Sequence, residues 1–320
     1  MLNSGKTSIL SVVIAPSQSL ATAITLLIDW TNTSGSKKNS YYFKHGLTAM
    51  PSHSPIASGI TREYLNDKPI IVNPQHGFKL ALFPSAPEPQ KTIYAAMHQC
   101  YSEGFVAEES LPDERKAGEL VVKHLLSGNR GHYGPIEEGY IVLNAGGFPH
   151  DTMQQLRTHR HLTMDVQSGR YTGNRILEAA RRLADAGDDE WRDIVESVVY
   201  LRPAAEYRSR EGITDYTNEI RELHLAEVRE AIERYHRDVG VFHLPKEHAR
   251  QLFPFGIRQN WMVGMTFRTA FHVLDVRAKP DVQFETKVFA EMLFELLMLV
   301  MPEITAWYHD NRLGKAILSP

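Results

Sequence analysis

The sequence predicts a helix-rich α+β fold. Apolar residues recur at helical intervals over most of the chain after Gln90, whereas strand-like runs are few and short. The last third of the chain is strongly apolar, and its longest helical segment ends before Pro302. Together these patterns favour a core built mainly between helices, with a smaller contribution from strands.

Residues 1–90 differ from the rest of the chain, and we interpret them as a partly disordered N-terminal extension of unknown role. Turn-forming residues are concentrated there, notably at 34–36, 51–55 and 84–89. Two runs near its end, residues 69–72 and 78–83, have the composition of short strands. The main domain is therefore predicted to span residues 91–320.

Helical periodicity begins at Gln90, where the apolar stripe through Ile93 and Met97 predicts that Cys100 is a core residue. Residues 140–143 are predicted to form a strand. Further helices are predicted over residues 114–126, 153–161, 174–186, 216–239, 246–252, 266–276 and 282–300. Helix 216–239 is expected to bury Ile220, Leu223, Val228, Ile232 and Tyr235. The final helix is apolar on more than one face, which predicts burial between helices or subunits.

Bulk composition excludes several classes of protein. A formal net charge of -3 argues against nucleic-acid binding or anionic-membrane binding as the main activity. Cys100 is the single cysteine, so an intrachain disulfide is impossible and a reducing, cytoplasmic location is expected. The apolar runs are too short or too interrupted by charge to span a membrane.

A short basic segment indicates a phosphorylated ligand. Five cationic or titratable side chains are concentrated there, and burying them without anions would be costly. They are Arg157, His159, Arg160, His161 and Arg170. Residues 168–170 read as an anion-binding turn, because glycine allows close backbone approach while serine and arginine supply donors. The alternative is a solvated basic helix end followed by an ordinary loop.

This segment resembles the signature of the flavin-dependent thymidylate synthases. In that family an Arg-His-Arg triplet precedes a Ser-x-Arg-Tyr element at a fixed interval, as residues 158–160 and 168–171 do here. Residues 132–137 are similar to an upstream His-x-x-Pro-Phe-Glu element. Residues 266–268, 277 and 283–285 are similar to downstream Asn-x-Arg, Arg and Gln-x-Glu elements. Two departures stand out: Thr158 replaces the first arginine of the triplet, and Asp165-Val166 replaces an Asn-Glu pair.

The resemblance implies a single catalytic domain with a small antiparallel sheet and active sites at the subunit interfaces of a homotetramer. It implies an FAD-dependent enzyme that converts dUMP to dTMP, with methylenetetrahydrofolate as carbon donor and NADPH as reductant. Two alternatives stay open. One is a divergent FAD-dependent nucleotide-modifying enzyme, and the other is a non-catalytic nucleotide-binding oligomer on the same fold.

The resemblance also assigns site residues. Arg277 is the catalytic candidate, because a fixed cation would stabilise negative charge developing on the uracil carbonyl. The dUMP candidates are Gln155, Ser168, Gly169, Arg170 and Arg277. The FAD candidates are His132, Gly134, Glu137, His159, Arg160, Thr266, Arg268 and His272. No metal is expected, because His159 and His161 lie about 200° apart on a helix.

Arg268 and Arg277 are nine residues apart, so on one helix they point in opposite directions. They are therefore expected to serve different sites. The alternative is that both are surface arginines paired with Asp275 or Glu285.

Overall fold

The computed structural model describes residues 59–128, 132–188 and 190–314. Residues 1–58 of the predicted N-terminal extension lie outside the described residues. Within the described part, no helix combines the length and apolarity needed to cross a membrane.

An antiparallel sheet of six strands is the frame of the structure, in the order β1-β2-β3-β4-β8-β5. A separate hairpin is formed by β6 and β7. The strands are β1 Thr61–Leu65, β2 Lys68–Asn73, β3 Phe78–Ser85, β4 Tyr140–Pro149, β5 Leu162–Val166, β6 Ala205–Ser209, β7 Gly212–Tyr216 and β8 Arg258–Thr266. The predicted α+β class with a small antiparallel sheet is confirmed.

Ten α-helices accompany these strands in the described part of the chain. They are α1 Pro89–Gln99, α2 Glu114–Val121, α3 His150–Leu156, α4 Asn174–Asp185, α5 Glu190–Val198, α6 Asn218–Gly240, α7 Lys246–Ala249, α8 Phe267–Arg277, α9 Phe284–Val300 and α10 Pro302–Asn311. The predicted helix over residues 114–126 is divided, because α2 passes into a π-helical turn at Val122–Leu126.

The first three strands lie upstream of the predicted domain boundary at residue 91. β3 pairs with the central strand β4, where Leu80 faces Ala145 and Leu82 faces Leu143. All four of these side chains are buried in the main core. Residues 61–85 therefore belong to the same sheet as the residues that follow.

The main core lies between the sheet and the apolar helix α9. On β4, Ile141, Leu143 and Ala145 are fully buried, as expected for alternate residues of a strand with one face covered. The helix α9 packs against β2 and β3 as well as α8 and α10. This explains why α9 is apolar on more than one face.

A second, smaller core forms where α6 packs against α4 and α5. Val228, Ile232 and Tyr235 are buried there as predicted, together with Leu225. The prediction for Ile220 and Leu223 is wrong, because both are exposed. They lie about 140° and 200° around the helix from Leu225, on the solvent side.

Arg258, at the start of β8, joins three parts of the chain. Its Nε donates to the carbonyl of Glu196 at 2.7 Å, and its Nη1 donates to the carbonyls of His76 and Gly147 at 2.8 Å each. Gly147 has a φ of +80°, and a Cβ there would lie 2.3 Å from the carbonyl oxygen of Gly77. The guanidinium therefore holds a close backbone crossing that requires glycine.

We expect Arg258→Met to lower the free energy of unfolding by roughly 3 kcal/mol, because three partly buried carbonyls lose charged donors. Denaturant unfolding followed by circular dichroism measures this change. The control is Arg181→Met, which removes only an exposed pair with Glu178 and should cost about 0.5 kcal/mol or less. Equal stability losses in the two variants would contradict the role of Arg258.

Candidate functional site

Arg277, the last residue of α8, is held by four hydrogen bonds. Its Nε donates to Nε2 of His159 at 3.0 Å, and its Nη1 donates to Oε1 of Gln155 at 3.0 Å. Its Nη2 donates to the carbonyl of Gln155 at 2.8 Å and to the hydroxyl of Thr158 at 3.1 Å. All four acceptors are neutral, so none of these bonds neutralises the guanidinium charge.

No ion pair among the described residues includes Arg277. Partial burial lowers the pKa of Arg277, as expected for a cation without an anionic partner. One N–H of its Nη1 is left over, since four of the five guanidinium donors are used. Arg277 is therefore a fixed, uncompensated cation with a donor to spare.

His159 is buried beside this guanidinium. Burial, with Arg277 and His272 next, lowers the pKa of His159 to about 4. The ring accepts a hydrogen bond at Nε2, so its proton is on Nδ1. The His272 ring meets it edge to face, with centroids 5.0 Å apart, and burial lowers the pKa of His272 as well. This pair of imidazoles is neutral at physiological pH.

The helix that carries Gln155 is shorter than predicted. α3 ends at Leu156, whereas the sequence predicted a helix through His161. Its end is stabilised at the carbonyl of Gln155, which accepts from the Thr158 hydroxyl at 2.7 Å and from Arg277. Two side chains thus join the backbone N–H of Thr158, which lies 3.3 Å away, in satisfying this carbonyl at the helix end. Gln155 and His159 are nevertheless connected, because both side chains accept hydrogen bonds from Arg277.

A polar network lies behind Gln155. Its amide nitrogen donates to Oε1 of Gln283, whose own amide donates to Asp151 at 2.8 Å and to Glu285 at 3.0 Å. Glu285 is almost fully buried and forms a bidentate ion pair with Arg202, at 2.6 and 2.9 Å. Burial, together with the charge of Glu285, raises the pKa of Asp151.

The residues 168–170 form a turn, as predicted. The backbone N–H of Arg170 donates to the Ser168 hydroxyl at 3.3 Å, and its guanidinium pairs with Glu247 at 2.7 Å. A Cβ on Gly169 would lie 3.2 Å from Nη1 of Arg250. Glycine therefore allows Arg250 to approach this turn closely, so that two arginines, 170 and 250, lie beside it.

Several FAD candidates lie near the start of α8. Arg268 forms an ion pair with Glu137, so two of the FAD candidates contact each other. Thr266 caps α8, its hydroxyl accepting from the N–H of Thr269 at 3.2 Å. Gly134 has open space beside its Cα, because a Cβ there would meet no atom of the described residues within 4 Å.

His132 is exposed, and its Nε2 lies 3.9 Å from Sγ of Cys100. The prediction that Cys100 is a core residue is wrong: the thiol is exposed because α1 ends at Gln99 and the chain turns there. Arg160 is exposed on the segment between α3 and β5. In the described residues no group of three or more His, Cys, Asp or Glu side chains is arranged to hold a metal ion.

The structure thus brings together Gln155, His159, His272 and Arg277, and separately joins Glu137 to Arg268. The surface ion-pair alternative for the two arginines is wrong. Asp275 pairs with Arg312 and Glu285 with Arg202, while Arg268 and Arg277 contact different groups. Sequence reasoning missed Arg250 and Glu247 beside the turn, and Thr158 and Arg202 around the Gln155 network.

Comparison with known proteins gives consistent results. A flavin-dependent thymidylate synthase from Haloarcula marismortui is 26% identical over 254 residues, which cover 73% of this chain and 96% of that protein. A flavin-dependent thymidylate synthase from Halobacterium salinarum is 29% identical over 203 residues, covering 61% of this chain and 76% of the relative.

Solved structures show the same fold. The thymidylate synthase ThyX from Helicobacter pylori, complexed with FAD and dUMP, has a TM-score of 0.54 at 16% identity, covering 70% of this chain and 98% of that one. The UMP/dUMP methylase PolB from Streptomyces cacaoi has a TM-score of 0.57 at 17% identity, covering 76% and 97%. Residues 81–303 match the family described as thymidylate synthase complementing protein. Because this match covers well over half of the chain, the protein belongs to the thymidylate synthase complementing protein family.

Proposed function

We propose that this protein is a flavin-dependent thymidylate synthase that methylates dUMP to dTMP. Methylenetetrahydrofolate is the proposed carbon donor and NADPH the proposed reductant. When bound, FAD would carry reducing equivalents from NADPH to the one-carbon unit as it becomes the methyl group of the product. The family assignment and the names of the relatives support this function. The observation that carries it is the uncompensated, fixed guanidinium of Arg277.

Arg277 suits a reaction in which negative charge develops on a pyrimidine carbonyl. A guanidinium held by neutral acceptors keeps its full charge for the ligand and needs little reorganisation during the reaction. We assign Arg277 to the uracil ring as the catalytic residue. Gln155, which fixes Arg277, is assigned to the same dUMP site.

The turn at residues 168–170 is the proposed site of the dUMP phosphate. Ser168 supplies a hydroxyl, Gly169 permits close approach, and Arg170 supplies a bidentate fork. The proximity of Arg250 to Gly169 adds a second arginine to this site. Arg170 pairs with Glu247, so a phosphate at this turn would compete with a carboxylate for Arg170.

The residues assigned to FAD fit an aromatic ring joined to a diphosphate. The neutral imidazoles of His159 and His272 offer ring contacts, and the exposed guanidinium of Arg160 suits a phosphate. The open space at Gly134 permits backbone approach. The proposed FAD site is completed by His132, Glu137, Thr266 and Arg268. The Thr266 hydroxyl would then serve both the ligand and the N-terminal cap of α8.

We propose that these sites are completed between subunits of a homotetramer in the cytoplasm. Arg268 and Arg277 leave α8 in opposite directions and contact separate groups. A single copy would therefore direct Arg268 and Arg277 towards two different sites, which an assembly of identical chains reconciles.

A second candidate is methylation of UMP, or another FAD-dependent modification of a nucleotide. The departures Thr158 and Asp165-Val166 fall within the signature itself, and a UMP/dUMP methylase shares the fold. Parallel assays with dUMP and UMP separate these activities, since the two substrates differ in one hydroxyl.

The experiment combines the absorbance spectrum of the purified protein with tritium release from dUMP labelled at C5. We expect flavin absorbance that bleaches with NADPH, and tritium release that needs methylenetetrahydrofolate. Arg277→Ala should keep the flavin and lose roughly 10²–10³-fold in turnover, because a charge-stabilising donor is removed. A colourless protein without tritium release contradicts the function, and turnover surviving in Arg277→Ala contradicts the assignment of that residue.

Glu247→Gln should tighten dUMP binding by roughly 3-fold, because phosphate no longer competes with a carboxylate for Arg170. Arg170→Ala should weaken binding by about 10-fold or more. Isothermal titration calorimetry measures both. Glu178→Gln, which disrupts an exposed pair with Arg181, is the matched control and should change nothing. Weaker binding in Glu247→Gln would instead show that Glu247 helps to hold the nucleotide.

The lowered pKa of His159 makes stability depend on pH. The unfolded histidine takes up a proton near its ordinary pKa of 6.5, whereas the folded one resists protonation until about pH 4. Unfolding therefore takes up a proton between these values, and stability falls as pH drops from 6.5 towards 4. By pH 5 the loss is about 2 kcal/mol.

Denaturant unfolding between pH 7.5 and pH 5 tests this dependence. Over this range the free energy of unfolding of His159→Gln should fall by about 2 kcal/mol less than that of the unaltered protein, because glutamine does not titrate. His272 and His76 also have lowered pKa values, but they are present in both proteins and cancel in the difference. Parallel pH profiles for the two proteins would show that His159 titrates normally.

A further inference from the structure

Two glutamine amides lie in series behind Arg277. Oε1 of Gln155 accepts from Arg277 at 3.0 Å, and Nε2 of Gln155 donates to Oε1 of Gln283. Nε2 of Gln283 then donates to Oδ2 of Asp151 at 2.8 Å and to Oε2 of Glu285 at 3.0 Å. The series therefore runs from a guanidinium, through two amides, to two carboxylates.

The groups at its two ends fix the direction of this series. An ionised carboxylate only accepts hydrogen bonds, and a guanidinium only donates them, whereas an amide can turn over and exchange its oxygen and nitrogen. Gln283 must therefore present its nitrogen to Asp151 and Glu285, and its oxygen to Gln155. Gln155 must in turn present its oxygen to Arg277. Any other orientation sets donor against donor, at about 1–3 kcal/mol for each group left unsatisfied.

The carboxylate end is rigidly held. Glu285 is 2% exposed and is bound by both Nε and Nη2 of Arg202. Gln283 immediately precedes α9, whose apolar residues fill the main core. The position of Gln283 is therefore set by the core and the buried ion pair, independently of any ligand.

We propose that Gln283 is a positioning residue that fixes the amide orientation of Gln155 and thereby aims the guanidinium of Arg277 at the pyrimidine. The inference rests on the proposed function for its consequence in catalysis. In this role Gln283 acts through Gln155, which it contacts directly. With the hydrogen-bond series intact, the unused N–H on Nη1 of Arg277 is held in a fixed direction. Without Gln283, Gln155 is free to turn over and Arg277 loses the Oε1 acceptor that holds Nη1.

The test compares Gln283→Met with Thr286→Val in the full-length protein. Methionine keeps much of the glutamine volume but neither donates nor accepts strongly, so it interrupts the series. Thr286 lies one turn further along α9, is fully buried, and has a hydroxyl without a hydrogen-bond partner. Thr286→Val therefore perturbs the same helix while leaving the series intact.

The first measurement needs no ligand or activity. Imidazole ¹⁵N spectra of histidine-labelled protein, assigned with His159→Gln, report the protonation of His159, which accepts from Arg277 Nε. Gln283→Met should raise the pKa of His159 and weaken its preference for the Nδ1–H tautomer, because the guanidinium is no longer fixed beside it. Thr286→Val should leave both unchanged. An unchanged His159 in folded Gln283→Met overturns the proposal.

The second measurement is steady-state kinetics with dUMP. Gln283→Met should lower kcat roughly 10-fold, while KM for dUMP changes by less than about 3-fold, because the phosphate turn still binds. In an Arg277→Ala background the same substitution should add no further loss. A full additional loss in that background, or a change confined to KM, overturns the positioning role.

If Gln283→Met does not fold, a comparison of Asp151→Asn with Asp151→Ala replaces it in the test. Asparagine retains an oxygen that accepts from Gln283, so it should stay close to the unaltered protein, whereas alanine leaves Glu285 as the one carboxylate acceptor and should shift His159 in the same direction as Gln283→Met but by less. Equal behaviour of the two variants overturns the proposal. If the unaltered protein turns over neither dUMP nor UMP while His159 responds as expected, the proposed function fails and the positioning role stands.

Discussion

The structure of the candidate site depends on one constraint, which is that a guanidinium without an anionic partner has to be held in place by neutral groups. Arg277 meets this constraint with a backbone carbonyl, an amide oxygen, a hydroxyl and an imidazole nitrogen. Each acceptor is tied to a different local feature. The carbonyl ends α3, the hydroxyl caps that end, and the imidazole is kept neutral by burial. The end of α3 and the neutral imidazole of His159 therefore both help to hold the same guanidinium.

The carboxylates of the site lie one step away from the cation. Asp151 and Glu285 reach Arg277 only through two amides, and the charge of Glu285 is compensated by Arg202. Direct contact would have neutralised Arg277 and removed its use towards a ligand. The two amides therefore fix the orientation of the hydrogen bonds without adding a charge beside Arg277. A buried ion pair alone cannot do both.

Much of the helical architecture could be predicted from the sequence, because long amphipathic segments such as α4, α6 and α9 bury one periodic face or are buried almost entirely. Strands were harder to predict. β8 buries the alternate residues Trp261, Val263 and Met265, but it leads directly into α8, so the sequence predicts only the helix there. The hairpin of β6 and β7 is largely exposed, so its residues carry no alternation to detect.

The site was predictable to the extent that it resembled a known signature. Gln155, His159, His272 and Arg277 do meet. The ion pair behind them joins Arg202 to Glu285, which are 83 residues apart in sequence, and no periodicity links the two. Thr158 illustrates a further consequence. Here its hydroxyl supports Arg277, whereas the family signature has an arginine at this position. The departure at 158 therefore replaces a cation with a hydroxyl that accepts from Arg277 and also donates to the carbonyl at the end of α3.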